Sequence, residues 1–177
     1  MKKIFVVMAA LLITLGIAAC QQKQEQTQNP VSYAPAVPPM PSQIEQMQQA
    51  AKATPANVAS WINLGNSLMD SKRFGEAVEA YEKALSLDPK NVPVLVDQGT
   101  CYRGIGKFDK AVELYQKALK IDPNFPYGHR NLGIVLAFDL NRKTEAIKEF
   151  RRYLELEPTG DGAEAAKQAL QQLTGGQ

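Results

Sequence analysis

The sequence predicts an all-α fold, a solenoid of three stacked helix hairpins with one capping helix before them and one after them. Two observations predict this fold. Gly65, Gly99 and Gly133 recur every 34 residues, and a period of this length is typical of helix–turn–helix arrays. Inside each copy, apolar residues recur three or four positions apart, so each helix carries one apolar stripe. Stacking the hairpins buries these stripes in one continuous core.

Composition excludes several classes of function. The chain has 177 residues with 20 Lys and Arg, 18 Asp and Glu, one His and two Cys. If Lys2 and Lys3 are removed with a cleaved leader, 18 basic residues face 18 acidic ones and the formal charge is zero. A neutral chain has no electrostatic footprint for nucleic acid. One His and two Cys do not complete a structural zinc site. We therefore expect no nucleic acid, no metal and no cofactor.

The first 19 residues are expected to be a secretory signal peptide. Met1-Lys2-Lys3 is basic, the following residues to Ala19 are apolar with few interruptions, and the chain then becomes polar after Cys20. A basic end, an apolar core and small residues before a cleavage site are typical of such a leader. The alternative is a transmembrane helix, but the apolar stretch falls short of the ~20 residues that span a bilayer.

Ile17-Ala18-Ala19-Cys20 resembles the lipobox of bacterial lipoproteins, which is an aliphatic residue, two small residues and a Cys. The resemblance implies cleavage before Cys20 and lipidation of Cys20, and the attached fatty chains would anchor the protein in a membrane. Gln21 follows where inner-membrane lipoproteins carry Asp. The resemblance therefore implies a lipid anchor in the outer membrane, facing the periplasm. Residues 20–41, rich in Gln and Pro, are expected to follow as a lipidated, flexible tether.

The folded domain is expected over residues 42–174. Gln43–Ala53 reads as a capping helix, and three hairpins follow over about 58–91, 92–125 and 126–160. In the third copy the spacing slips by one residue, and we expect the extra residue in the Asp139–Thr144 turn. A proline follows each second helix and ends it, after which Asn91 or Asn124 would cap the next helix. Residues 162–174 form the C-terminal capping helix.

The first copy reads Trp61-x-x-Leu64-Gly65-x-x-Leu68, followed by Ala77, Tyr81, Ala84 and Pro89. This pattern is similar to the tetratricopeptide repeat. The resemblance implies a right-handed solenoid in which the first helix of every repeat lines a concave groove for an extended peptide or a partner helix. Carried onto this register, the groove residues are Ile62, Asn66, Met69, Asp70, Val96, Thr100, Arg103, Tyr127, Arg130, Ile134 and Phe138. Two arginines among apolar residues favour a partner with hydrophobic side chains and some negative charge.

One subclass of this family clamps a C-terminal carboxylate with five Lys, Arg and Asn residues. Of these, only Asn66 is present here; Ile62, Asp97, Tyr127 and Asn131 replace the others. Carboxylate capture is therefore not expected.

No catalytic residues are predicted. Cys101 and His129 fall at positions that pack inside the first helices of their repeats, and neither lies at a helix start that would activate a nucleophile. Once Cys20 is lipidated, Cys101 is the remaining thiol, and we expect it to be buried. The sequence thus predicts an envelope adaptor, not an enzyme, that binds an unidentified protein or peptide. Two alternatives stay open: a homo-oligomeric envelope scaffold, and an envelope enzyme that uses Cys101.

Overall fold

The computed structural model of the chain describes residues 42–175. The predicted signal peptide, the predicted lipidation site Cys20 and the predicted tether lie outside these described residues. Within them the chain is helical throughout and has no strand. The elements in order are α1 (Gln43–Ala53), α2 (Val58–Asp70), α3 (Phe74–Leu87), α4 (Val92–Gly104), α5 (Phe108–Ile121), α6 (Pro126–Ile134), which continues into a π-helical turn (Val135–Asp139), α7 (Lys143–Leu156) and α8 (Ala163–Thr174). The predicted all-α solenoid is confirmed.

The helices pack as successive antiparallel hairpins. Helices α2 and α3, α4 and α5, and α6 and α7 form the three pairs, with α1 packed on α2 and α8 packed on α7. Buried residues form one cluster around Tyr81 and a second around Tyr115 and Phe150. Leu85 and Tyr102 pack against both clusters, so the apolar core runs through all three hairpins.

Local sequence sets the helix ends. Asn57 and Asn91 cap α2 and α4 with their side chains. The C-cap residues of α3, α5 and α7 each precede a proline. The expected cap by Asn124 is wrong. The N-caps Asn57, Asn91 and Phe125 are spaced by the 34-residue period, so Asn124 stands one residue before the cap of α6. Asn124 instead accepts a hydrogen bond from Arg152 at 2.6 Å.

The extra residue of the third repeat lies in the first helix, not in the predicted Asp139–Thr144 turn. All three hairpins keep a three-residue turn whose middle residue has positive φ: Lys72, Gly106 and Asn141. From Gly106 to Asn141 the spacing is 35 residues, so the insertion precedes the turn. It is absorbed at Val135–Asp139, where the amide of Leu140 donates to the carbonyl of Val135 at 3.0 Å.

Candidate partner-binding groove

The first helices of the hairpins form one side of the array, which we call the groove face and define by α2, α4 and α6 with its π-helical turn. Successive first helices contact one another more extensively than successive second helices do. The array therefore closes toward the groove face. All the groove residues predicted from the sequence lie on these elements.

Two tyrosines from the second helices reach through to the groove face. The rings of Tyr81 and Tyr115 occupy the space beside Gly65 and Gly99, where a Cβ atom would lie 2.5 and 2.6 Å from a ring carbon. The Tyr81 hydroxyl donates to Asn66 Oδ1 at 2.7 Å. Burial raises the pKa of both hydroxyls, to about 12 for Tyr115. The two tyrosine hydroxyls are therefore neutral hydrogen-bonding groups at the buried base of the groove face, which we call the floor.

A polar bridge joins α4 to α6 across this floor. The Tyr115 hydroxyl lies 3.2 Å from Thr100 Oγ1, and Asn131 Nδ2 donates to the same oxygen at 3.3 Å. Asn66 and Thr100 thus orient the tyrosines as well as lining the surface. Asn131 was considered in the sequence only as a replacement in the carboxylate clamp, and the structure gives it this bridging place.

The predicted groove residues differ in what they offer to a partner. Ile62 and Met69 are half-buried and pack against the core, whereas Asp70 is exposed. Val96 is 3 % exposed and belongs to the core. It supports the floor from below and has almost no surface for a ligand.

Arg103, predicted as a groove residue, is already paired with a carboxylate of the protein. Its guanidinium donates to the carboxylate of Asp139, the last residue of the π-helical turn. The side chain of Asp139 is only 17 % exposed. The pair compensates the charge of Arg103, and this partner was missed because the extra residue was placed in the turn.

Arg130 is the groove-face arginine whose charge is not compensated. Its guanidinium carbon lies 5.1 Å from the ring centroid of Tyr127, and Nη1 donates to the carbonyl of Asp161 at 3.1 Å. Within residues 42–175 no carboxylate lies within ion-pairing distance of it. Tyr127 is itself 44 % exposed, so an aromatic ring and a cation lie together on α6, at the third-repeat end of the groove face.

Arg130, Ile134 and Phe138 are brought together with α8 around a cavity of about 430 Å³, which we call the α8 cavity. Its far wall is formed by Ala165, Ala169 and other residues of α8. Phe138 lies at the rim and is 53 % exposed. The sequence assigned α8 only as a cap. The structure adds a second role, because α8 stands beside α6 where a further first helix would pack.

Asp97 on α4 was not predicted as a groove ligand. Its side chain is half-buried, and burial followed by the charge of Asp70 raises the pKa of Asp97 to about 6. In the part of the chain that the structure describes, no ion pair involves it. The sequence feature that could have revealed it is its position, because Asp97 replaces one of the binding residues of the carboxylate-clamp subclass.

Cys101 and His129 are not arranged as a catalytic pair. Cys101 is 0 % exposed, and burial and then Asp97 raise the pKa of its thiol to about 12. The ring of His129 spans Glu149 Oε2, 2.6 Å from Nδ1, and the carbonyl of Pro123, 3.0 Å from Nε2. Trp61, at the matching position of the first repeat, donates to the carbonyl of Pro55 in the same way. The predicted burial of Cys101 is confirmed.

A larger cleft, of about 1,050 Å³, is lined by residues of α5, α6 and α7 and carries both acidic and basic side chains. No group of three or more His, Cys, Asp or Glu that could hold a metal ion occurs within residues 42–175. None of the helices described is both long and apolar enough to cross a membrane.

Comparison with known sequence families decides the class of the array. Four tetratricopeptide repeat profiles match residues 58–91, 80–113, 99–137 and 131–159. Together they run from 58 to 159 and so span all three hairpins. The chain is a tetratricopeptide repeat protein. A comparison with curated proteins gave no match.

Solved tetratricopeptide structures share the fold. The crystal structure of MamA is 22 % identical, covers 75 % of each chain and has a TM-score of 0.69. The Sgt2 domain from Aspergillus fumigatus is 27 % identical over 66 % of this chain and 76 % of its own, with a TM-score of 0.61. The first domain of Spaghetti, solved with an HSP90 peptide, is 24 % identical over 67 % of this chain and 90 % of its own, with a TM-score of 0.62.

Proposed function

We propose that this tetratricopeptide repeat protein is an adaptor that binds a protein or peptide partner along its groove face. The observation that carries the proposal is that this face holds two half-buried charges of opposite sign, on Asp97 and Arg130, which the described residues leave uncompensated. Half-buried charges without partners are unfavourable in the free protein. A partner that supplies the missing counter-charges would gain affinity and specificity from them.

The exposed apolar groups support the same face. Tyr127 and Phe138 are two of five large hydrophobic side chains that stay exposed in the described residues, and both lie on the groove face beside Arg130. Aromatic residues and arginine are the types that most often anchor protein interfaces. The fold is also compatible with peptide binding, since the Spaghetti domain is solved with a peptide bound.

We place this adaptor at a membrane. The support is the sequence Ile17-Ala18-Ala19-Cys20 after a basic and apolar leader, together with Gln21. Lipidation of Cys20 would hold the domain at the periplasmic side of an outer membrane, with residues 21–41 as the spacer. Cys20→Ala is expected to abolish incorporation of labelled fatty acid and to leave the uncleaved precursor. Fatty-acid incorporation by the variant would refute the anchor.

The groove is tested by site-specific photo-cross-linking in cells. A benzophenone amino acid replaces Phe138, which is exposed and aromatic, or Lys117, which is exposed on α5 among the second helices. We expect a discrete cross-linked product at position 138 that disappears in the Arg130→Glu background. Equal products from both positions, or a product indifferent to Arg130, would contradict binding along this face.

A further inference from the structure

The groove face is electrostatically bipolar, and this polarity specifies its ligand. Resting on the function proposed above, we infer that the partner is an extended segment that carries a Lys or Arg at one end and an apolar residue next to an Asp or Glu at the other. The basic residue pairs with Asp97, the apolar side chain enters the α8 cavity, and the carboxylate meets Arg130. This deepens the proposed function by naming the chemistry of the segment.

The cavity end selects an apolar side chain and an acid together. Ile134, Phe138 and the alanines of α8 give the α8 cavity an apolar wall, and its volume of about 430 Å³ is large enough to admit a side chain of leucine or phenylalanine size. Arg130 lines the same cavity and keeps free guanidinium donors, since its recorded acceptors are a carbonyl and an amide oxygen. A carboxylate beside the inserted side chain is the matching ligand.

The opposite end selects a cation. Asp97 and Asp70 interact electrostatically across α4 and α2, and neither has an ion-pair partner within residues 42–175. The charge of Asp97 acts in turn on the hydroxyls of Tyr81 and Tyr115 and on the thiol of Cys101. All three are neutral near pH 7 because burial raises the pKa of each. The local charge is therefore negative, and a Lys or Arg would neutralise it.

The repeat geometry fixes the spacing between the two ends. Arg130 matches Val96 in the 34-residue register, so it lies at nearly the same height along its helix as Asp97. From the cleft between α2 and α4 to the cleft between α6 and α8 is two helix spacings, about 16–20 Å at 8–10 Å each. An extended chain advances about 3.3 Å per residue. The cation and the apolar anchor should thus stand about five or six residues apart.

Peptide selection tests this pattern directly. Random phage-displayed peptides of about 10–12 residues, long enough to cross all four helices at 3.3 Å per residue, are selected at neutral pH on the immobilised full chain. We expect recovered peptides to carry the basic residue and the apolar–acidic pair at the derived spacing, in one chain direction. The selection is repeated on Arg130→Glu and Asp97→Asn after circular dichroism has confirmed their helicity.

The variants should change the selected sequences in opposite ways. Arg130→Glu should replace the acidic preference by a basic one and leave the other end unaltered. Asp97→Asn should reduce the basic preference, since Asp70 remains, and weaken the binding of a wild-type-selected peptide about tenfold. Matched changes on the second helices, Lys117→Glu on α5 and Glu79→Gln on α3, should leave both preferences intact.

Two failures are distinguishable. Peptides that bind the groove face without this charge pattern, or whose pattern persists in both variants, overturn the bipolar ligand but not the adaptor function. If no peptide is recovered, the inference is overturned as well. The adaptor function is then decided separately by cross-linking at position 138.

Discussion

Gly99→Ala provides a quantitative test of how the hairpins are held together. A Cβ atom at position 99 would lie 2.6 Å from a ring carbon of Tyr115, and Tyr115 is 1 % exposed. Overpacking of this kind costs about 1–3 kcal/mol, and displacing the ring endangers its contact with Thr100, worth about 1 kcal/mol. Alanine recovers about 1 kcal/mol in helix propensity. The net loss in unfolding free energy should be about 1–3 kcal/mol.

Gly75→Ala is the matched control, because the same methyl group at position 75 meets nothing within 4 Å. Only the helix-propensity gain remains, so this variant should be more stable than the wild type by about 0.5–1 kcal/mol. Urea unfolding followed by circular dichroism measures both. A Gly99→Ala protein as stable as Gly75→Ala would refute the view that the tyrosine ring is fixed between the helices. In a Tyr115→Leu background, the loss caused by Gly99→Ala should shrink.

Three further outcomes follow from the buried and half-buried titratable groups. Because burial raises the pKa of Asp97 from 3.8 to about 6, its ionisation lowers the stability of the fold progressively as pH rises from 3.8 to about 6, and the full loss remains above that range. Asp97→Asn should therefore increase the unfolding free energy at pH 7.5 by about 1–3 kcal/mol, at about 1.4 kcal/mol per pKa unit, and the gain should vanish near pH 4; a gain that is constant with pH would contradict this. Burial lowers the pKa of His129, but the hydrogen bonds to Glu149 and Pro123 outweigh it and the net shift is upward from 6.5. The stabilisation is therefore complete below pH 6.5 and lost as pH rises through the folded-state pKa, and His129→Gln should remove this slope from unfolding curves taken between pH 6 and 9. The Cys101 thiol, 0 % exposed, should react with iodoacetamide at pH 8 only as fast as the domain unfolds, and rapid alkylation of the native protein would contradict its burial.

The sequence predicts the helices well because a strict period constrains each of them three times over. Gly65 and Tyr81 recur as Gly99 and Tyr115 in the next copy. The tyrosine ring therefore packs against the glycine in the same way in both hairpins. The ends are equally local, since proline after each second helix stops it whatever the surroundings. Fold and helix order therefore follow from short-range rules.

The position of the inserted residue could not be read from the apolar pattern alone. One extra residue in a turn and one extra residue in the last turn of a helix leave the following repeat in the same register. The distinguishing feature is Asn141, which takes the positive-φ place held by Gly106. Asparagine tolerates this conformation better than most residues, so aligning Asn141 with Gly106 would have placed the insertion in the helix.

The polarity of the groove depends on pairings that the pattern does not encode. Arg103 and Arg130 look equivalent in the sequence, yet among the residues that the structure describes only Arg103 has a carboxylate within reach, supplied by Asp139 from 36 positions away. A helical wheel assigns a residue to a face, but whether its charge is compensated depends on the neighbouring repeat.

The inserted residue of the third repeat is connected with the different pairing of Arg103 and Arg130. The π-helical turn ends at Asp139, which pairs with Arg103, and contains Phe138, which stands exposed at the rim of the α8 cavity. With Arg103 compensated, Arg130 remains as the uncompensated arginine of the groove face, beside that cavity. A regular third repeat would have one residue fewer between α6 and the turn that follows, in the segment that holds both Phe138 and Asp139. The irregular turn in the third repeat thus supplies both the carboxylate that compensates Arg103 and the exposed ring that lines the α8 cavity with Arg130.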